Sequence, residues 1–129
     1  MLNSAEIKFS VIGREDTPSI DFNGKTGELT ISGKSLPDDA FEYYHHAIGW
    51  VRKYAEEPCE VTTFTMQITY MNSASAKRII EILEILDSVK EHGNTVKIMW
   101  VYSSEDEDAL DEGNEMERMC DIPFTYVSI

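Results

Sequence analysis

The side chains best placed for chemistry lie in TYMNSASAKRII, which runs from Thr69 to Ile80. Asn72, Ser73 and Ser75 stand there where a strand-like run gives way to a helix-like one. Asn and Ser are favoured N-caps because their oxygens satisfy free backbone N–H groups. Capping alone therefore accounts for the residue types, although no Glu or Gln follows either candidate cap by three residues to complete a capping box. The hydroxyls also suit phosphorylation. A phosphate adds about −1.5 to −2 charge, and a helix N-terminus accommodates it through free N–H groups and the helix dipole. Lys77 and Arg78, one turn on, would partly neutralise it. The fold would survive while the local surface changed sign, which suits a switch on a partner interface.

Other chemistries find less support. His45-His46 invites a metal, but neighbours on a helix point about 100° apart, and there is no HExxH or third ligand at a useful spacing. SSEDEDALDEGNEME resembles a calcium loop only superficially. Counting from Asp106, position 5 is Leu110 and position 6 is Asp111, where the loop needs an acid and a glycine; a solvated acidic helix is expected instead. Cys59 and Cys120 form no CxxC or zinc-like spacing and read as reduced thiols of a cytosolic protein. Gly24-Lys25-Thr26 lacks the earlier glycine of a phosphate-binding loop. No metal, cofactor or catalytic constellation is expected, and so no enzyme.

The elements that must position the junction follow from periodicity. Ala5–Ile12 alternates loosely, as a strand. TPSIDF and GELTISG, separated by NGKT, read as a hairpin turning at Asn23-Gly24. SLPDDAFEYYHHAIGWVRKYAEE is a first helix, capped by Ser35 or Asp38, with an apolar stripe of Phe41, Tyr44, Ile48, Val51 and Ala55. CEVTTFTMQITYM is a strand. A second helix runs from near Ser73 to about His92, stopped at Gly93-Asn94, with Ile82 or Ile85 available to a partner. TVKIMWVYS reads as a central parallel strand. Glu105–Met119 would form a third, acidic helix capped by Ser103 or Ser104, and PFTYVSI an edge strand. The expected fold is α/β: one domain over residues 1–129, with a mixed sheet, an N-terminal β-hairpin and two to three packed helices.

Composition narrows the partners. The chain has 129 residues, 42% hydrophobic, and a formal net charge of −13. Such a surface repels phosphate backbones, so nucleic acid and anionic membranes are disfavoured. No apolar run is long enough to cross a membrane, and MLNSAEIKF does not read as a signal peptide. A cytoplasmic protein is expected.

The junction resembles the switch site of STAS-domain anti-sigma-factor antagonists, where Asp-Ser-Ser-Gly carries a kinase-modified first Ser. A wider resemblance covers nearly the whole chain. Thr17-Pro18, Gly27-Glu28-Leu29, Gly33-Lys34-Ser35 with Pro37, Phe41, Trp50 and Tyr70-Met71-Asn72 together look like the SiaC family of small bacterial regulatory phosphoproteins. That resemblance implies a STAS-like fold and a non-enzymatic role. It implies a protein kinase acting on the hydroxyl residue after the Asn, a PP2C-type phosphatase, and a diguanylate cyclase bound by the unphosphorylated form, which links it to cyclic-di-GMP signalling and biofilm growth. The family's Thr corresponds to Ser73, and Ala74 stands where another hydroxyl residue is common. On this reading Ser73 is the acceptor, Ser75 a weaker second candidate, and Asn72, Ser73, Ser75, Lys77 and Arg78 border the partner surface. The alternative output is transcription, through an anti-sigma factor.

Overall fold

The computed structural model describes residues 7–129. Six strands form one sheet in the order β1-β2-β3-β4-β5-β6: β1 (Lys8–Val11), β2 (Ser19–Asn23), β3 (Glu28–Ser35), β4 (Val61–Met71), β5 (Thr95–Tyr102) and β6 (Phe124–Ser128). The first three strands are antiparallel, and β3 to β6 run parallel. Helices α1 (Ala40–Tyr54), α2 (Ser73–Glu91) and α3 (Ala109–Arg118) make the three crossovers. Each crossover moves one strand along in the same direction, so a common right-handed sense puts all three helices on one face. Burial agrees. On β4, Thr62, Phe64, Met66 and Ile68 are buried, while Val61 and Gln67 between and beside them are exposed.

The expected mixed α/β sheet with its N-terminal hairpin is the observed fold. Differences lie in detail. The first strand is Lys8–Val11; Ala5 and Glu6 of the expected strand lie outside the described residues. The hairpin turn occupies residues 24–27, and its positive φ falls at Gly27 (78°). Asn23 shapes it through its side chain, Oδ1 accepting from Lys25 N at 3.0 Å. A Cβ on Gly27 would collide with the Val61 carbonyl oxygen, so the turn is tied to β4 as well as to itself.

α1 is capped by Asp39, which accepts from Glu42 N at 3.1 Å. Ser35 lies too early for this role, because it ends β3. Phe41 is not in the core. The buried side is Ala40, Tyr44, Ala47, Ile48, Val51 and Tyr54, and Phe41 is 61% exposed. α2 ends before Gly93, whose φ of 102° provides the left-handed stop. β5 is parallel and interior, but the middle pair is β3 and β4. It also alternates: Ile98 and Trp100 are buried and Lys97 is exposed, as one covered face requires.

α3 starts four residues later than the acidic run. Its first turn is organised by Asp106, whose Oδ1 accepts from Asp108 N and Ala109 N at 3.1 and 3.2 Å. Gly113 sits inside this helix because Trp100 leaves no room for a side chain. The indole donates Nε1–H to the Ala109 carbonyl at 2.9 Å, and a Cβ on Gly113 would lie 2.7 Å from Nε1. Gly113→Ala should therefore lower stability by about 1–3 kcal/mol through overpacking, against the gain in helix propensity of about 1 kcal/mol. Urea denaturation followed by Trp fluorescence measures this; equal or greater stability would contradict the packing account.

The β4–α2 junction as the candidate functional site

The junction begins with an irregularity. Gly33 pairs with Ile68, but Lys34 pairs with Tyr70, so Thr69 is an extra residue on β4. Such a bulge re-aims the residues after it. Asn72 then caps α2, with extended backbone and Oδ1 accepting from Ser75 N at 2.8 Å. Its own N–H donates to the Ser35 carbonyl at 3.1 Å, and its carbonyl receives Ala76 N at 3.0 Å. Ser73 is the first helical residue and is exposed.

Ser75 is different. It is 0% exposed, as are Ser35 and Tyr44. Ser35 Oγ donates to Ser75 Oγ at 2.8 Å, Ser75 Oγ donates to the Ser35 carbonyl at 3.2 Å, and Ser35 Oγ lies 2.6 Å from the Tyr44 hydroxyl. These three hydroxyls join the end of β3, the first half of α1 and the start of α2. Buried hydroxyls cost free energy unless paired, and here each has a partner. Ser75 as a second phosphoacceptor, or as a partner-facing residue, is therefore corrected: its hydroxyl is enclosed and already engaged, so it holds the junction instead. Ile82 is likewise 0% exposed and reaches no partner; Ile85 is half-buried.

Lys77 and Arg78 separate. Lys77 is exposed and shares a groove with Ser73. Arg78 turns to the other flank of α2, where Nη1 contacts Glu81 Oε1 at 2.6 Å and the guanidinium carbon lies 4.4 Å from the Phe41 ring centroid. Its side chain is 11% exposed, so it does not border the Ser73 surface as expected.

The Ser73 groove, of about 380 Å³, lies between α2 and α3. Met71, Ala76, Ile80, Met116 and Met119 supply an apolar lining, with Glu112 and Glu115 on the α3 side. Met119 is 66% exposed. Burial, then Asp106, Asp108 and Glu115, pushes the Glu112 carboxyl above its ordinary range. The sequence reading missed this groove. Met116 and Met119, three apart on an acidic helix, were the available signal.

No group of three or more His, Cys, Asp or Glu side chains could hold a metal among the described residues. His45 and His46 are exposed, with ring centroids 5.4 Å apart. Cys59 and Cys120 are free thiols.

Fold and junction together define a small α/β domain: a one-sided sheet that presents an accessible serine at a helix start, beside an apolar groove. The chain belongs to the SiaC family of regulatory phosphoproteins, whose pattern it matches over residues 11–129. It is 26% identical over 112 residues to an uncharacterised protein of Pseudomonas aeruginosa, spanning 87% of this chain and 89% of that one. The fold matches the solved structure of SiaC of Pseudomonas aeruginosa at a TM-score of 0.84 and 23% identity, over 95% of this chain and 98% of that one. It matches a crystal structure of the diguanylate cyclase SiaD in complex with its activator SiaC, from the same organism, at 0.88 and 24%, covering 94% and 99%.

The buried hydroxyls predict a pH dependence. Burial, opposed by the Ser35 hydrogen bond, pushes the Tyr44 hydroxyl up to about 12 from 10.0. Below pH 10 both folded and unfolded chains hold the proton, so the contribution is intact. Between about 10 and 12 the unfolded chain loses it first, and stability falls by about 2–3 kcal/mol. Tyr44→Phe should flatten that part of the decline in urea titrations across this range. An unchanged slope would show that Tyr44 ionises freely in the folded protein.

Proposed function

We propose that this chain is a non-enzymatic, phosphorylation-switched regulator that binds and controls a diguanylate cyclase in its unphosphorylated state. The observation that carries this reading is the exposed Ser73 at the first position of α2, on the rim of the methionine-lined groove. A protein kinase adds the phosphate there and a PP2C-type phosphatase removes it, in the cytoplasm. No helix among the described residues is long and apolar enough to cross a membrane. The likeness to an activator solved with its cyclase supports the choice of effector.

The physics of the switch is local. Asn72 and Ser75 fix the first turn whether or not Ser73 is modified, so a phosphate leaves the fold intact. Free N–H groups at the helix start and the nearby Lys77 favour it. Yet it sets about −1.5 to −2 charge beside an apolar groove whose other wall carries Glu112 and Glu115. A partner side chain seated there would have to strip water from that charge, which is costly. Binding is therefore weakened on modification without any change of fold.

Two measurements test this. Tandem mass spectrometry of protein from its host, purified with phosphatase inhibitors, should find phosphate on Ser73 and none on Ser75, and a Ser73→Ala protein should carry none. Calorimetry with the purified cyclase of the same organism should show Ser73→Ala binding like wild type and Ser73→Asp binding at least about tenfold more weakly, about 1.4 kcal/mol. Equal binding by both variants would remove the switch from this residue.

A further inference from the structure

A second and larger trough, of about 700 Å³, lies across the outer side of α1. Phe41, His45, His46 and Arg52 line it from α1, and Arg78 and Glu81 from α2. Its charge runs against that of the molecule. The chain carries 24 acidic residues against 11 Lys and Arg, yet Arg52, Lys53 and Arg78 meet here with Glu81 as the carboxylate on the lining.

The details narrow what would fit. Glu81 holds Arg78 at 2.6 Å but reaches Arg52 only at 3.9 Å, and the Arg52 side chain is 63% exposed. One carboxylate thus serves two guanidinium groups and satisfies only one of them well. Arg78 Nε is buried with no hydrogen-bond partner. Phe41 is 61% exposed, a large apolar side chain standing in water beside these cations. Arg78 lies over its ring at 4.4 Å from the centroid, and the His45 ring stacks beside it at 5.8 Å and 28°. A small inorganic anion would use the cations but not Phe41, and would leave most of the trough empty. Nucleic acid is repelled by the net charge of −13. An acidic peptide segment with an apolar side chain uses every feature: carboxylates for Arg52 and the histidines, and an apolar anchor against the Phe41 edge.

We propose that this trough docks such an acidic segment of the cyclase effector. The inference rests on the proposed function for the identity of the partner, and adds where and by what chemistry it is held. Arg78 follows Ser73 by five residues on α2, about 7.5 Å along the axis. An effector seated in the trough and reaching over α2 therefore meets the phosphoacceptor. Rim charges of this kind set association rate and specificity, and an exposed aromatic supplies the anchor.

The test is calorimetry with the purified cyclase and unphosphorylated protein, comparing wild type, Arg52→Glu and Phe41→Ser. Both substitutions fall on exposed side chains, and circular dichroism checks the fold. Each should weaken binding about tenfold or more, and wild-type affinity should fall steeply between about 50 and 500 mM salt as the pairs are screened. Wild-type affinity in both variants would overturn the trough while leaving the Ser73 switch standing. No binding by wild type would overturn the proposed function itself. A wild-type dimer that either variant converts to monomer in light scattering would make the trough a self-interface and overturn the inference.

Discussion

The structure depends on one buried carbonyl and the hydroxyls around it. The Ser35 carbonyl accepts from both Asn72 N and Ser75 Oγ, and Ser35 Oγ in turn bonds Ser75 and Tyr44. Three polar side chains at zero exposure would be a liability if any bond were missing, since an unsatisfied buried group costs about 1–3 kcal/mol. Because all are made, they fix the end of β3, the start of α2 and the first half of α1 in one arrangement. An accessible serine on a loose loop would be modified just as well. A serine on a turn held this firmly would also present the proposed phosphate in a constant direction, which an interface can read.

The sheet explains why that turn lies beside grooves at all. Three successive crossovers in one direction lay α1, α2 and α3 side by side, with α2 in the middle. Aromatic layers seal the ends of the core: Trp50 stacks on Tyr54 at 5.3 Å and Trp100 on Phe124 at 6.3 Å. Helices packed in a row leave valleys between and across them. The valley towards α3 is floored by methionines, which adapt to varied shapes; the one across α1 is walled by arginine, histidine and phenylalanine.

Most of the fold was legible because periodicity is local. The alternation of Ile20 and Phe22 with Asp21, the long spaced run from Ile79 to Val89, and Asn72 as a cap all depend on residues a few positions apart. What was not legible depends on partners distant in sequence, or on helical phase. Gly113 looks like a helix breaker until Trp100 is seen against it. Ser35 looks like a cap until β3 is found to include it. Ser73 and Ser75 seem equivalent in a row of letters, yet two steps on a helix turn about 200°, so one faces water and the other the sheet. Lys77 and Arg78 divide between the flanks of α2 for the same reason, and the Phe41 position lies just outside the stripe defined by Tyr44, Ile48 and Val51.

That division of neighbouring cations shapes the electrostatics. Lys77 remains on the Ser73 side, opposite Glu112 and Glu115, while Arg78 is taken up by Glu81 and Phe41 on the α1 side. One helix therefore separates a flank where added negative charge meets carboxylates from a flank where it meets guanidinium groups. At physiological salt a charge is felt over about 8 Å, so modification at the first turn acts chiefly on its own flank. The two flanks can then do different work for a partner that covers both. Under the proposed switch, the cationic side would supply attraction that persists whatever the state of Ser73, and the methionine side the contact that a phosphate would disrupt. A switch built this way need not abolish all attraction to weaken a complex; it has only to make the second contact costly while the first remains.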